Sequence, residues 1–92
     1  MSSTLVTTAS LDRRTRKFLI KHPDLRPRLA ETLDKLRADP FEPGLHLRPL
    51  TGKLQGPQAI SLTHSYRITL TLQITERDIL LLDIGSHDEV YR

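Results

Sequence analysis

The 92-residue chain contains no cysteine and no tryptophan. Without cysteine, neither a disulfide nor a thiolate zinc site can supplement the core of so short a chain. Aromatic residues are confined to Phe18, Phe41, Tyr66 and Tyr91. A protein that binds single strands by stacking bases on many rings is therefore not expected, and Arg and His would have to carry most contacts to any nucleic acid. No apolar stretch approaches the roughly 18 residues needed to span a bilayer; the best case, Ile79 to Leu82, is far shorter. Met1 to Ser10 is polar and lacks a basic region followed by an apolar run, so it does not read as a secretory signal. Charge of one sign is not dominant either. Lys and Arg number 14 against 11 acidic residues, a formal +3 that permits contact with a polyanion without compelling it.

What is present is a change of hydrophobic period along a single-domain length. Ser3 to Thr8 is rich in β-branched residues and reads as a short strand. Leu11 to His22 reads as a helix capped by Ser10, with Leu11, Thr15, Phe18 and Leu19 on one side and most of its basic residues on the other. Pro23 breaks it. A second helix, opened by Pro23 or Asp24, runs to about Ala38 on a stripe of Leu25, Leu29, Leu33 and Leu36. The Asp39-Pro40-Phe41-Glu42-Pro43-Gly44 segment is a loop by composition, because the residue before each proline is biased away from helix.

Beyond the loop the period becomes two. Leu45, Leu47 and Pro49 alternate with His46, Arg48 and Leu50; Ile60 and Leu62 alternate with Ser61 and Thr63. Ile68, Leu70, Leu72 and Ile74 alternate with Arg67, Thr69, Thr71 and Gln73, the clearest half-buried strand of the chain. Thr75 to Asp78 reads as a hairpin loop, and Ile79 to Ile84 as a central strand covered on both faces. Asp83 interrupts that strand and needs a partner. The expected class is α+β: an N-terminal strand and a two-helix hairpin packed on one face of a small twisted antiparallel sheet. The other face, with Arg67, Thr69 and Thr71, would be polar.

Three segments, Leu50–Gly56, Tyr66–Ile68 and Asp83–Tyr91, occur in an order that resembles the RelE/ParE superfamily of toxins, and most closely its RelE/YafQ-like mRNA interferase branch. Leu50-Thr51-Gly52-Lys53-Leu54-Gln55-Gly56 resembles the family's L-x-G-x-x-x-G element. Tyr66-Arg67-Ile68 resembles its Y-R-I/V strand, and Asp83-Ile84-Gly85-Ser86-His87-Asp88-Glu89-Val90-Tyr91 its closing G-[ST]-H-x-x-[LV]-[YF] signature. The resemblance spans nearly the whole chain. It implies the toxin of a type II toxin–antitoxin module: a cytoplasmic, ribosome-associated mRNA endoribonuclease that uses the RNA 2′-hydroxyl against the adjacent phosphate. The implied partners are a cognate antitoxin, mRNA on the ribosome and ribosomal RNA. A toxin–antitoxin hetero-oligomer would bind operator DNA through the antitoxin. Two alternatives stay open: a ParE-like inhibitor of DNA gyrase, and a catalytically weak homologue acting mainly as a co-repressor with its antitoxin. Ser61 and Ser65 stand where the YafQ branch carries a histidine and an aspartate.

That reaction needs a proton acceptor, positive charge on the phosphorane and a proton donor to the leaving oxygen. His87 is the candidate for proton transfer, because imidazole titrates near neutrality. Arg67 offers a planar fork for two phosphate oxygens, unless a salt bridge to Asp83 or Glu76 occupies it. Tyr91 can stack on a base or position a phosphate oxygen. Arg48, Lys53, His64 and His46 are the candidate RNA or phosphate contacts, with ordinary surface residues as the alternative. Arg13, Arg14, Lys17, Arg26, Arg28 and Lys35 are read either as a ribosomal RNA surface or as solvated helix faces. His22, before Pro23, is placed to meet a helix dipole. No cofactor is expected. No metal is expected either, because His46, His64 and His87 lack a short ligand spacing.

Overall fold

The computed structural model describes residues 3–50, 56–73 and 77–86. In chain order they form β1 (Thr4–Val6), α1 (Ala9–Lys21), a 3₁₀ turn (Pro23–Leu25), α2 (Arg26–Ala38), a second 3₁₀ turn (Pro43–Leu45), β2 (Arg48–Pro49), β3 (Gln58–Ser61), β4 (Tyr66–Gln73) and β5 (Asp78–Ser86). The sheet order is β1-β5-β4-β3-β2. β2 to β5 form an antiparallel meander, whereas β1 pairs parallel to β5, so the sheet is mixed rather than wholly antiparallel. Parallel neighbours need a long crossover; here the two helices and the meander lie between them in the chain. Both edge strands are short and β2 contains Pro49, which lacks a backbone donor and limits pairing beyond the edge.

α1 begins two residues earlier than its periodicity suggests. Thr8, not Ser10, is the N-cap: its backbone is extended and its hydroxyl accepts from the Leu11 N–H at 3.1 Å. The second helical segment starts at Pro23 as a 3₁₀ turn and becomes α-helical at Arg26. Its stripe is deepest at Leu29 and Leu36, while Leu25 and Leu33 are half-buried. Thr32 joins that face, buried, with its hydroxyl donating to the Arg28 carbonyl at 2.7 Å. That internal bond lets a polar side chain enter the core.

The core sits between the helices and one face of the sheet. Leu11, Leu29, Leu36 and Leu45 meet Ile60, Leu62, Ile68, Leu70, Ile79 and Leu81. Strand register explains the face: Ile60, Ile68 and Ile84 lie opposite one another, and the neighbouring row is Ser61, Arg67 and Gly85. Between Thr69 and Leu70 the register shifts: Thr69 faces Asp83 but Leu70 faces Leu81, which leaves Leu82 as the extra residue of a bulge. β5 is central as expected, but not covered on both sides. Ile79 and Leu81 are buried while Leu80, Leu82 and Ile84 are only half-buried. The expected polar face is also drier than its composition implies, since Thr69 is buried.

The alternation from Leu45 to Leu50 does not form a strand of that length. Leu45 ends a 3₁₀ turn and is buried, and His46 adopts a left-handed backbone (φ 54°, ψ 50°), so only Arg48 and Pro49 remain extended in the sheet. A run that must turn after a buried anchor cannot keep the period of a strand. Gly56 has φ 107°, a region open to glycine and strained for other residues, and the Leu50 N–H donates to the Pro57 carbonyl at 3.1 Å.

Candidate functional site

The β3–β4 connection, residues 62 to 65, is built by backbone and guanidinium bonds. The N–H groups of Leu62 and Thr63 both donate to the Tyr66 carbonyl, at 2.9 and 3.2 Å. The Thr63 hydroxyl accepts from the N–H groups of Ser65 and Tyr66. Two arginines hold consecutive carbonyls of this turn. Arg28, from α2, donates through Nε to the Leu62 carbonyl at 3.1 Å. Arg67, from β4, donates through Nη1 to the Thr63 carbonyl at 2.7 Å and to the Tyr66 carbonyl at 3.4 Å.

This turn, α2 and the second 3₁₀ turn enclose a cleft of about 330 Å³. β2 and β4 contribute Arg48 and Arg67 to its wall. His46 enters from the 3₁₀ turn and His64 from the β3–β4 connection. Four residues singled out in the sequence are therefore brought together. α2 adds Arg28 and Lys35, and Glu31, the one carboxylate among the described lining residues, pairs with Lys35 at 3.2 Å. Among the described residues the cleft is thus lined by three arginines, one lysine, one glutamate and two histidines. Such a lining suits an anion that spans several donors. His87, Tyr91 and Lys53 lie outside the described residues.

The sequence marked Arg28 and Lys35 only as members of a basic helix surface, not as part of this cleft. Arg28 and Lys35 are seven apart and Glu31 lies between them, so they share a helix face; that signal reads equally as a solvated surface. Arg67 is not held by Asp83. Asp83 pairs instead with Arg14 of α1 at 3.4 Å, and its Oδ1 also accepts from the Ile84 N–H at 2.8 Å. The partner that Asp83 required is therefore on a helix. His22 caps the end of α1 through its N–H to the Phe18 carbonyl at 2.9 Å. Its ring also packs 4.8 Å from both Phe18 and Tyr66, a tertiary role beyond the helix end. Among the described residues, no group of three or more His, Cys, Asp or Glu side chains is placed to hold a metal ion. No described helix is long and apolar enough to cross a membrane.

No family model and no curated protein matches the sequence. Solved structures do match its fold. A YoeB/ParE toxin from Agrobacterium tumefaciens superposes with a TM-score of 0.72 at 16% identity, covering 91% of this chain and 98% of the other. The chain has the fold of the YoeB/ParE/RelE toxins. A toxin from Helicobacter pylori, solved copper-bound as a point mutant, gives 0.66 at 21% identity, over 98% of this chain and 99% of the other. The toxin–antitoxin complex RelBE2 from Mycobacterium tuberculosis supplies a chain that gives 0.60 at 18% identity, over 95% and 100%. The α+β architecture expected for a RelE-like toxin is the one observed, with the parallel β1 added to the antiparallel meander.

Proposed function

We propose that this protein is the toxin of a type II toxin–antitoxin module, and that it cuts mRNA on the ribosome from the cleft beside the β3–β4 turn. The observation that carries this reading is the convergence of Arg28, Lys35, Arg48 and Arg67 with His46 and His64 around one recess on a toxin fold. A phosphodiester passing to a dianionic phosphorane gains most from preorganised cations held where charge develops. The reaction forms the bond from O2′ to phosphorus and breaks the bond from phosphorus to O5′. The 2′-hydroxyl proton goes to a base, and a proton is delivered to the leaving O5′. The products are a 2′,3′-cyclic phosphate and a 5′-hydroxyl.

In this reading Arg67 stabilises the phosphorane, Arg48 and Lys53 bind flanking phosphates, and His87 transfers a proton. Tyr91 positions the base or the phosphate. His46 and His64 contact the phosphate backbone from within the cleft. Ser61 lines the cleft, and a serine hydroxyl does not take up a proton at neutral pH, so proton transfer is left to His87. A cognate antitoxin that covers the cleft would neutralise its charge and exclude RNA together, consistent with the antitoxin-bound form of the RelBE2 relative.

The test is a ribosome-dependent cleavage assay on wild type and on the Arg67→Ala and His87→Ala variants, with growth arrest followed in parallel. Wild-type cleavage that is blocked by a 2′-deoxy residue at the cut site, and lost in the variants, supports the reading. Cleavage-competent variants would move the site elsewhere. DNA damage and filamentation with intact mRNA would favour a gyrase inhibitor on the same fold. Intact mRNA together with sharper antitoxin–operator binding would favour a co-repressor.

A further inference from the structure

A second recess, of about 490 Å³, lies between α1 and the ends of β4 and β5. Its composition differs from that of the first cleft. Arg14, Lys17 and Lys21 share the face of α1 that lines it, at spacings of three and four residues. Arg14 is committed to Asp83 and to the Leu82 carbonyl, at 3.4 and 3.2 Å. Lys17 and Lys21 are exposed and have no ion-pair partner among the described residues.

Rings form its other wall. Phe18 and Tyr66 meet edge to face at 5.0 Å, and His22 sits 4.8 Å from each. All three line the recess and are half-buried. Two of the four aromatic residues of the chain are thus gathered beside two available ammonium groups, whereas none of the described aromatic residues lines the first cleft. The two recesses meet at β4: Tyr66 lines this one and Arg67 the other. Consecutive strand residues have Cα atoms about 3.8 Å apart but point to opposite faces, so the two recesses lie close together on either side of β4, next to the β3–β4 turn.

We propose that this recess is a single-stranded RNA site, which takes a stretch of the same substrate strand after it has passed around the β3–β4 end of the sheet from the phosphate held at Arg67. Lys17 and Lys21 contact its phosphates, and an unstacked base rests on the Tyr66–His22 surface. Cations tracking a backbone beside rings that accept any base form the combination that binds single strands without sequence preference. The identity of the strand rests on the ribonuclease reading; the affinity of the recess for RNA does not.

The experiment measures binding of the full chain to 2′-O-methyl RNA, which lacks the attacking hydroxyl and cannot be cut. Oligonucleotides of about six and about twelve nucleotides bracket one site and two. The wild type should bind the longer strand more tightly. Lys17→Ala/Lys21→Ala should remove most of that gain, a loss of about tenfold. It should also flatten the slope of log affinity against log salt by about 1.4, at roughly 0.7 per lost single-strand phosphate contact. A long strand with abasic positions in its distal half should bind at least about fivefold more weakly than the intact one.

Unchanged affinity and slope in a double variant that melts like wild type would overturn the proposal, as would equal binding of abasic and intact strands. Weakened antitoxin binding with RNA binding intact would assign the recess to the protein partner instead, and would overturn it too. A wild type that binds the long strand as predicted but cuts no mRNA would refute the nuclease reading and leave the RNA site standing.

Discussion

Arg67 donates to the Thr63 carbonyl at 2.7 Å, which makes the proposed phosphate ligand a structural fastener of the turn that carries His64. Arg67→Ala should therefore cost stability as well as activity, by about 1–2 kcal/mol for a partly exposed charge-assisted bond. Arg67→Lys should recover part of the stability but little of the cleavage, because an ammonium lacks the two-pronged fit to phosphate. Thermal melts beside cleavage rates separate the two effects. Equal activity of the Lys and wild-type proteins would remove Arg67 from the phosphorane site.

His46 pairs a strained backbone with a position in the cleft. Its left-handed conformation costs a non-glycine residue about 1–2 kcal/mol. His46→Gly should raise or preserve the melting temperature while reducing RNA binding. His46→Asn, which tolerates this region, should fold like wild type with the same loss. An unaltered affinity in both variants would show that the imidazole does not touch the ligand.

Gly56 has φ 107° and open space where a Cβ would stand. Gly56→Ala should destabilise through the backbone alone, by about 1–3 kcal/mol. Urea unfolding checks this. A fully neutral result would mean that the turn adopts another conformation at little cost.

Thr8 closes the first turn of α1, and α1 carries the cations of the second recess. Thr8→Ala should cost about 1 kcal/mol, and Thr8→Ser much less. Ser10→Ala should be near neutral, since Ser10 lies inside the helix. Helical content and melting temperature distinguish the two positions.

Leu36 and Leu70 are both fully buried, at 0% exposure. Truncating either to alanine should cost about 2–5 kcal/mol. In a domain with a total stability of about 5–15 kcal/mol, that loss is expected to lower soluble yield before it changes any cleavage parameter. Denaturant midpoints would report it.

The sequence by itself determined the class of fold and the order of its elements. Helical spacing from Leu11 to Leu36 and alternation from Arg67 to Gln73 are local properties of a chain that must hide apolar side chains on one face. Proline punctuation was equally local, and it marked the breaks before α2 and β2. Tertiary structure decided what local spacing cannot encode. The parallel pairing of β1 with β5 joins residues more than 70 positions apart. Asp83 is satisfied by Arg14, which no sequence distance suggests. The bulge at Leu82 and the left-handed turn at His46 interrupt alternation because packing against the helices outweighs strand period there. The cleft itself is a tertiary object. His46, Arg48, His64 and Arg67 were individually legible as candidates, but Arg28 and Lys35 join them only because α2 docks beside the β3–β4 turn.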